Sequence, residues 1–237
     1  MRKKTAIEKL KKNHEIAGLT LSIIGVLYSV ILGFTVVNVQ ERYNTINESI
    51  HLEANLLADL YRDAEVFPKP VMESIQQGIK KYALSMLNEE WDSMNDTKTT
   101  LASEKQIEEL WSFYYKFSPP TEQQKIWYAA SIDKLNKLND ARNFRYFNRN
   151  DSVSSMLWTL LIFGAILTIS MLFFLGIENF VIHTIVCALL TGFLSFILFL
   201  IFTLDRVFEG PEKIQPQAFK EILELFEEWE KIQGDNK

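Results

Sequence analysis

The chain has 237 residues, of which 48% are hydrophobic and 23% are charged, an average that fits an ordinary globular protein. The charges are nevertheless segregated. Residues 152–204 contain no Lys or Arg and a single acid, Glu178, and residues 16–40 contain no charged side chain at all. Because a soluble core interleaves apolar and polar positions, these windows predict an integral membrane protein and exclude a purely soluble enzyme.

Residue types that carry common catalytic and cofactor chemistry are scarce. The only cysteine, Cys187, lies inside an apolar run, and the three histidines are far apart in the sequence. No Gly-rich phosphate loop or nucleophile elbow is present. We therefore expect no catalytic residues, no metal and no cofactor. The net charge of −5 also argues against nucleic acid as a partner.

Three membrane spans are predicted. A basic N-terminal segment, residues 1–16, precedes span one at residues 17–37, which is long enough to cross the bilayer and too long for a signal peptide. Span two covers residues 153–176 and span three residues 180–204, so these two form a tight hairpin.

The first span is expected to continue beyond the membrane as the same helix. Its apolar positions recur every three or four residues, at Val39, Tyr43, Ile46, Ile50, Ala54, Leu57, Tyr61 and Ala64. No Gly or Pro intervenes before Pro68. The pattern predicts one helix from about Glu15 to Glu65, roughly 75 Å long.

Residues 38–152 are predicted to form a helical extramembrane domain. Helices are expected from Pro70 to Trp91, from a capping box at Ser103 and Gln106, and from Thr121 to Asn148. A polar loop is expected at residues 95–101, and the last of these helices is expected to run on into span two. The predicted fold class is an all-α integral membrane protein with three transmembrane helices and this domain between spans one and two.

The C-terminal segment, residues 205–237, has an amphipathic helical pattern. Phe219, Phe226 and Trp229 lie on its apolar face. They are either the anchors of a protein partner or residues that pack on the chain's own domain.

Several sequence segments resemble the bestrophin-like family of bacterial membrane proteins of unknown function. These segments are Asn13–Gly18, Gly25–Leu32, Glu53–Arg62, Asp140–Arg145, Trp158, Gly164 and Leu204–Gly210. They cover nearly the whole chain in the family's order. Two features depart from the family: its usual first membrane helix is absent, and Val207 stands where proline is usual.

The resemblance extends more weakly to true bestrophins. It implies a pentameric ion channel whose helical cytoplasmic domain is continuous with its membrane helices. This is an analogy at the level of the fold, and a fold alone does not dictate function.

Small residues recur on one face of the first span, at Gly18, Ser22, Gly25, Ser29 and Gly33. Such stripes let helix backbones approach closely in lipid. The stripe predicts close packing either within one subunit or between subunits around an axis.

A polar stripe follows just past the membrane edge, at Asn38, Glu41, Thr45 and Glu48. It is interpreted either as a solvated helix surface or as a ring of pore-lining carboxylates, which would attract cations and repel anions.

Farther along the same helix, the Glu53 carboxylate falls beside the apolar face and needs a positively charged partner, for which Arg142 or Arg145 is expected. The competing hypothesis is a membrane enzyme with a site between Glu53, His51 and these arginines.

The positive charges do not agree on the orientation. The basic N-terminus favours a cytoplasmic N-terminus, whereas the bases before span two favour a cytoplasmic domain, which we prefer.

The preferred function is a homo-oligomeric ion channel, possibly pentameric by the resemblance, in the bacterial inner membrane. Its expected partners are the lipid bilayer, further copies of itself and inorganic ions, with cations slightly favoured. The alternative is a non-conducting scaffold or accessory protein that binds a protein partner.

Overall fold

A computed structural model describes residues 14–94, 102–174 and 179–235. Within these ranges the chain forms seven α-helices and no strand. The helices are α1 His14–Asp63, α2 Lys69–Ser85, α3 Ala102–Lys116, α4 Glu122–Asn148, α5 Ser155–Leu172, α6 Phe180–Asp205 and α7 Gln217–Asp235. Most of the basic N-terminal segment, the predicted loop at 95–101 and the predicted turn at Ile177 and Glu178 lie outside the described residues.

Three of the helices are long and apolar enough to cross a membrane: α1, α5 and α6. The predicted fold class, an all-α membrane protein with three spans and a helical domain between the first two, is confirmed. Helix α1 has 50 residues and no break around residues 37–41, so it spans roughly 75 Å at the usual rise. It continues as a 3-10 turn, Ala64–Val66, and ends before Pro68.

The chain divides into two compact units. The membrane unit comprises the described parts of residues 1–43, 152–206 and 210–212. Its core is a small apolar cluster from α1, α5 and α6, made of Tyr28, Leu32, Val39, Leu161, Ala165, Leu194, Ile201 and Leu204. The Tyr28 hydroxyl donates a hydrogen bond to the Leu161 carbonyl at 2.7 Å. Gly164 allows this approach, because a Cβ there would lie 2.5 Å from the Tyr28 ring.

One carboxylate joins the three helices of the membrane unit at the end of α6. Asp205 accepts hydrogen bonds from Arg42 of α1 at 3.1 Å, from the Val153 backbone N–H at 2.8 Å and from the Trp158 indole at 3.3 Å. Asp205 is 7% exposed. It belongs to the segment Leu204–Gly210 that carried the family resemblance, and the structure gives that segment a packing role.

The helical domain comprises the described parts of residues 44–151, 207–209 and 213–237. Its core is deeper than that of the membrane unit, with Ile46, Leu57, Ile79 and Tyr82 wholly buried. Helix α2 begins as expected, with Pro70 in its first turn, and it continues as a π-helical turn, Met86–Glu90.

Helix α7 packs on its own domain. Phe219 and Phe226 are fully buried, and the Phe226 ring stacks on Tyr61 at a centroid distance of 4.2 Å. Trp229 is half-buried beneath the Arg62 guanidinium. The hypothesis that these aromatic residues anchor a separate partner is therefore wrong for Phe219 and Phe226, because both side chains are buried in the core of their own domain.

Two local predictions are wrong. Helix α4 does not run on into span two: it ends at Asn148, and Ser154 starts α5 as an N-cap that accepts from the Leu157 N–H. The capping box at Ser103 and Gln106 is also absent, because Ser103 lies inside α3 and its backbone N–H donates to the distant Glu90 carboxylate at 2.9 Å. By contrast, Thr121 caps α4 by accepting from the Gln124 N–H.

Candidate functional site

Helix α1 packs on its own membrane unit along only one face. The buried side chains there are Tyr28, Leu32, Thr35 and Val39, which recur at intervals of three or four residues. Leu21, Ile24, Ile31 and Val36 are partly buried beside this face. Other apolar side chains of the span are at least half exposed: Ile16, Leu19, Ile23, Val26, Leu27, Val30, Phe34 and Val37. Most of this helix is thus available to lipid or to another chain.

The small-residue stripe is not covered by the chain itself. A Cβ built on Gly18, Gly25 or Gly33 would meet nothing within 4 Å among the described residues. Ser22 and Ser29 donate hydrogen bonds back to their own helix, to the Gly18 and Val26 carbonyls. Packing against the described residues of the same chain therefore does not account for the glycines of the stripe.

Part of the small-residue stripe lines an open groove. Gly25, Ser29 and Gly33 line one side, and α6 supplies apolar side chains on the other. The groove volume is about 580 Å³, and its lining is almost wholly apolar.

All four residues of the polar stripe are exposed. In the membrane unit these are Asn38 and Glu41, and in the helical domain they are Thr45 and Glu48. Thr45 and Glu48 line a second groove of about 580 Å³, whose other wall carries Lys137 and Asp140 of α4. The structure leaves the choice between solvated surface and pore lining open, because both require exposure.

Glu53 lies at the centre of the helical domain, where its side chain is 0% exposed. Arg145 binds it in a bidentate pair, with Nε 2.8 Å from Oε2 and Nη2 3.1 Å from Oε1. The Tyr82 hydroxyl donates to Oε1. Of the two partners considered for Glu53, the structure selects Arg145. A planar guanidinium matches a carboxylate in this way, which suits a fully buried pair.

Arg145 also binds a second buried carboxylate that the sequence analysis missed. Its Nη1 lies 3.0 Å from Glu90 Oε1, and Glu90 is likewise 0% exposed. Glu90 Oε2 accepts from the first turn of α3 at Ser103. The helical spacing could have revealed this residue, because Glu90 follows Tyr82 and Met86 at intervals of four, on the buried side of α2 and the π-helical turn that continues it.

Arg142 takes part in the same network without contacting Glu53. Its Nε donates to Ser103 Oγ at 2.9 Å, and its Nη2 lies 3.7 Å from the partly exposed Glu104 carboxylate. Four segments of the domain therefore meet at a continuous polar cluster in its core, which we call the buried ion cluster: Glu53, Tyr82, Glu90, Ser103, Arg142 and Arg145.

The electrostatics of the cluster favour fixed charges. Burial alone would lower the pKa of Arg145, but the charge and hydrogen bonds of Glu53, together with Tyr82 and Glu90, raise that pKa above its ordinary value. Burial alone would raise the pKa of Glu90, but Arg145 and the hydrogen bonds from Ser103 lower it below its ordinary value of 4.5. Burial, followed by the neighbouring Glu53 charge, raises the pKa of Tyr82 well above 10.0. Glu90 and Arg145 therefore stay charged near neutral pH, whereas the Tyr82 hydroxyl stays neutral.

The enzyme hypothesis gains no support from this arrangement. His51 is exposed, whereas both Glu53 oxygens are already engaged by Arg145 and Tyr82. Among the described residues, no group of three or more His, Cys, Asp or Glu side chains is arranged to hold a metal ion. The buried ion cluster therefore joins four segments of the domain, and its carboxylates are already engaged by groups of the protein.

The sequence matches the family model of the Bestrophin-like domain over residues 2–219. The protein therefore belongs to the Bestrophin-like family, as the sequence segments indicated. No curated protein matches the sequence.

Solved structures with the same fold include bacterial bestrophin homologues. A homologue from Klebsiella pneumoniae has a TM-score of 0.71 at 11% identity, over 90% of this chain and 88% of that chain. A point variant of a Klebsiella pneumoniae homologue has a TM-score of 0.67 at 14% identity, over 92% and 91%. A further structure described as a membrane protein has a TM-score of 0.68 at 11% identity, over 89% and 88%. At these identities the likeness shows the fold alone.

Proposed function

We propose that the protein is a homo-oligomeric, ion-conducting pore of the bacterial inner membrane, in which α1 lines the ion path and cations are slightly favoured. Membership of the Bestrophin-like family supports a channel over an enzyme. The observation that carries the proposal is that α1 uses only one face for its own membrane unit. The other faces of the helix can then pack on a neighbouring subunit and also face an axis.

The residues of α1 fall on three distinct faces. Successive residues in an α-helix are rotated by about 100°. By this rotation the small-residue stripe lies roughly 90° to one side of the buried face, and the polar stripe roughly 130° to the other side. In a ring of subunits, the small-residue face then meets the neighbouring copy and the polar face meets the axis.

The axial face has an apolar section within the membrane. Ile16, Ile23, Leu27, Val30 and Phe34 share the direction of the polar stripe, and all five are at least half exposed. Rings of such side chains form the narrow, dewetting sections of channels. The same face therefore offers an apolar constriction followed by a polar section.

The polar section favours cations. Glu41 and Glu48 place two carboxylates per subunit on the axial face, so a pentamer would carry two rings of negative charge. Such rings raise the local concentration of cations and repel anions. We place the helical domain in the cytoplasm, since five basic side chains lie in α4 and just beyond its end: Lys134, Lys137, Arg142, Arg145 and Arg149.

The scaffold alternative depends on a surface that a partner could use. Its proposed anchors Phe219 and Phe226 are buried against the protein's own domain. The channel hypothesis does not have this difficulty, because the α1 surfaces that it needs are exposed.

The decisive experiment is reconstitution of the purified protein into planar bilayers, with current recording, alongside a mass measurement of the oligomer. We expect a single closed oligomer and ion currents. A well-folded oligomer that passes no current would overturn the pore and favour the scaffold.

The ion selectivity of carboxylate variants tests whether Glu41 and Glu48 form rings around the axis. The double variant Glu41→Gln with Glu48→Gln should shift the reversal potential toward lower cation preference under a salt gradient. A matched control removes two exposed carboxylates elsewhere in the domain, with Glu73→Gln and Glu122→Gln, for the same change in net charge. Equal reversal potentials in both double variants would remove the rings from the proposal.

A further inference from the structure

His183 and Cys187 lie one helical turn apart near the start of α6, and their reactive atoms face each other. The Cys187 sulfur is 3.7 Å from Nε2 of His183. We propose that these two side chains form a binding site for a thiophilic divalent cation of the Zn²⁺ or Cd²⁺ type. The site is independent of the proposed ion path, because neither side chain belongs to α1.

The separation of the two atoms matches the span of a tetrahedral metal ion. Zinc binds thiolate sulfur at about 2.3 Å and imidazole nitrogen at about 2.0–2.1 Å. With a tetrahedral angle between those bonds, sulfur and nitrogen lie about 3.5 Å apart, and the observed distance corresponds to an angle of about 115°. A linear two-coordinate ion would need about 4.4 Å, so the geometry selects zinc-like ions over linear Cu(I).

The histidine is not otherwise engaged. Its Nδ1 is buried and has no hydrogen-bond partner among the described residues. The edge of the Phe173 ring packs against the imidazole at a centroid distance of 6.2 Å.

The position of the pair permits access from water. His183 is the fourth residue of α6, which begins after the Asn179 N-cap, so it lies near one end of a candidate membrane span. Water molecules can complete the coordination of an ion at such an end. Binding replaces the thiol proton: Cys187 S–H and M²⁺ give a thiolate–metal bond and one released proton, while His183 Nε2 supplies its lone pair.

The single cysteine gives the test a site-specific readout. Cd²⁺ is titrated into the purified oligomer, and thiolate-to-cadmium absorbance in the ultraviolet is recorded together with the rate at which a maleimide labels Cys187. We expect a saturable absorbance and a labelling rate that falls as Cd²⁺ binds. Cys187→Ser should abolish the absorbance.

His183→Gln should weaken the apparent Cd²⁺ affinity by about tenfold or more, while the matched control His51→Gln, at an exposed histidine, should leave it unchanged. The oligomer mass of each variant verifies folding. The same affinity in His183→Gln and wild type would overturn the two-residue site, and so would the absence of thiolate absorbance in the folded wild-type oligomer.

Discussion

The membrane unit and the helical domain differ in how completely each buries its own apolar side chains. In the membrane unit, large apolar residues such as Ile23, Phe34 and Phe193 are more than half exposed. In the helical domain, Ile46, Leu57 and Phe226 have no more than 1% of their surface exposed. The domain therefore completes its own core, whereas the surface of the membrane unit is built for lipid or for further copies of the chain.

The difference extends to the forces that hold each unit together. Burial of apolar surface from water stabilises the domain. Between helices in lipid this driving force is absent, so the membrane unit depends on close packing and on polar contacts. The close packing is that of Gly164 against the Tyr28 ring, and the polar contact is the ion pair between Asp205 and Arg42. In the domain the corresponding polar feature is the buried ion cluster.

The largest expected effect comes from removing the cation at the centre of that cluster. Arg145→Met leaves the carboxylates of Glu53 and Glu90 buried without their common partner, and breaking a buried pair in this way costs about 3–5 kcal/mol. Thermal unfolding in detergent, followed by far-ultraviolet circular dichroism, should show a large loss. The loss should be smaller at acidic pH, because protonation relieves the two unpaired charges.

Lys137→Met is the matched control on the same helix. Lys137 is 60% exposed and pairs only with Asp133 at 2.6 Å, one turn away, so the change should cost about 0.5 kcal/mol or less. If Arg145→Met unfolds at the temperature of this control, the cluster does not stabilise the domain.

Much of the domain could be predicted from the sequence, because helical periodicity is a local property. The apolar spacing from Val39 to Ala64 predicted a long α1, and the position of Glu53 beside that face predicted an arginine partner. Glu90 meets the same criterion in the π-helical turn that follows α2. What periodicity could not supply is the tertiary partner: it did not choose between Arg142 and Arg145, nor did it show that Glu90 caps α3.

In the membrane unit the sequence predicted the three candidate spans but not their contacts. A long stretch without charged residues predicts a membrane-spanning helix, because lipid accommodates any apolar side chain. For the same reason such a stretch does not show which face packs inward. Gly164 and Asp205 lay within segments that carried the family resemblance, yet their roles follow only from the Tyr28 ring and the Arg42 guanidinium, which are distant in sequence.

An intermediate effect is expected from adding a methyl group to the packed face of the membrane unit. Gly164→Ala places a Cβ 2.5 Å from two Tyr28 ring atoms, and the ring is held by its hydrogen bond to Leu161. Overpacking of this kind costs about 1–3 kcal/mol. Gly192→Ala on α6 is the control, because its Cβ would meet nothing within 4 Å. Equal stability of the two variants in detergent would contradict a tightly packed contact at Gly164.

The smallest effect concerns acid stability and separates the ion cluster from the exposed charges of the domain. The pKa of Glu90 is below 4.5 in the folded protein, since Arg145 and Ser103 outweigh the effect of burial. Above pH 4.5 this carboxyl is ionised in both folded and unfolded chains, so its contribution to stability is fully present. The contribution is lost as the pH falls through the lower folded pKa, because the unfolded chain then binds more protons.

Glu90→Gln should therefore be less stable than wild type at neutral pH, yet lose less stability between about pH 5 and pH 3. Glu104→Gln, at a half-exposed carboxylate of the same network, should follow the wild-type profile. Parallel profiles for wild type and Glu90→Gln would show that folding does not lower the pKa of Glu90, and the distinction between a domain held by buried charge and a membrane unit held by packing would then rest on Arg145 alone.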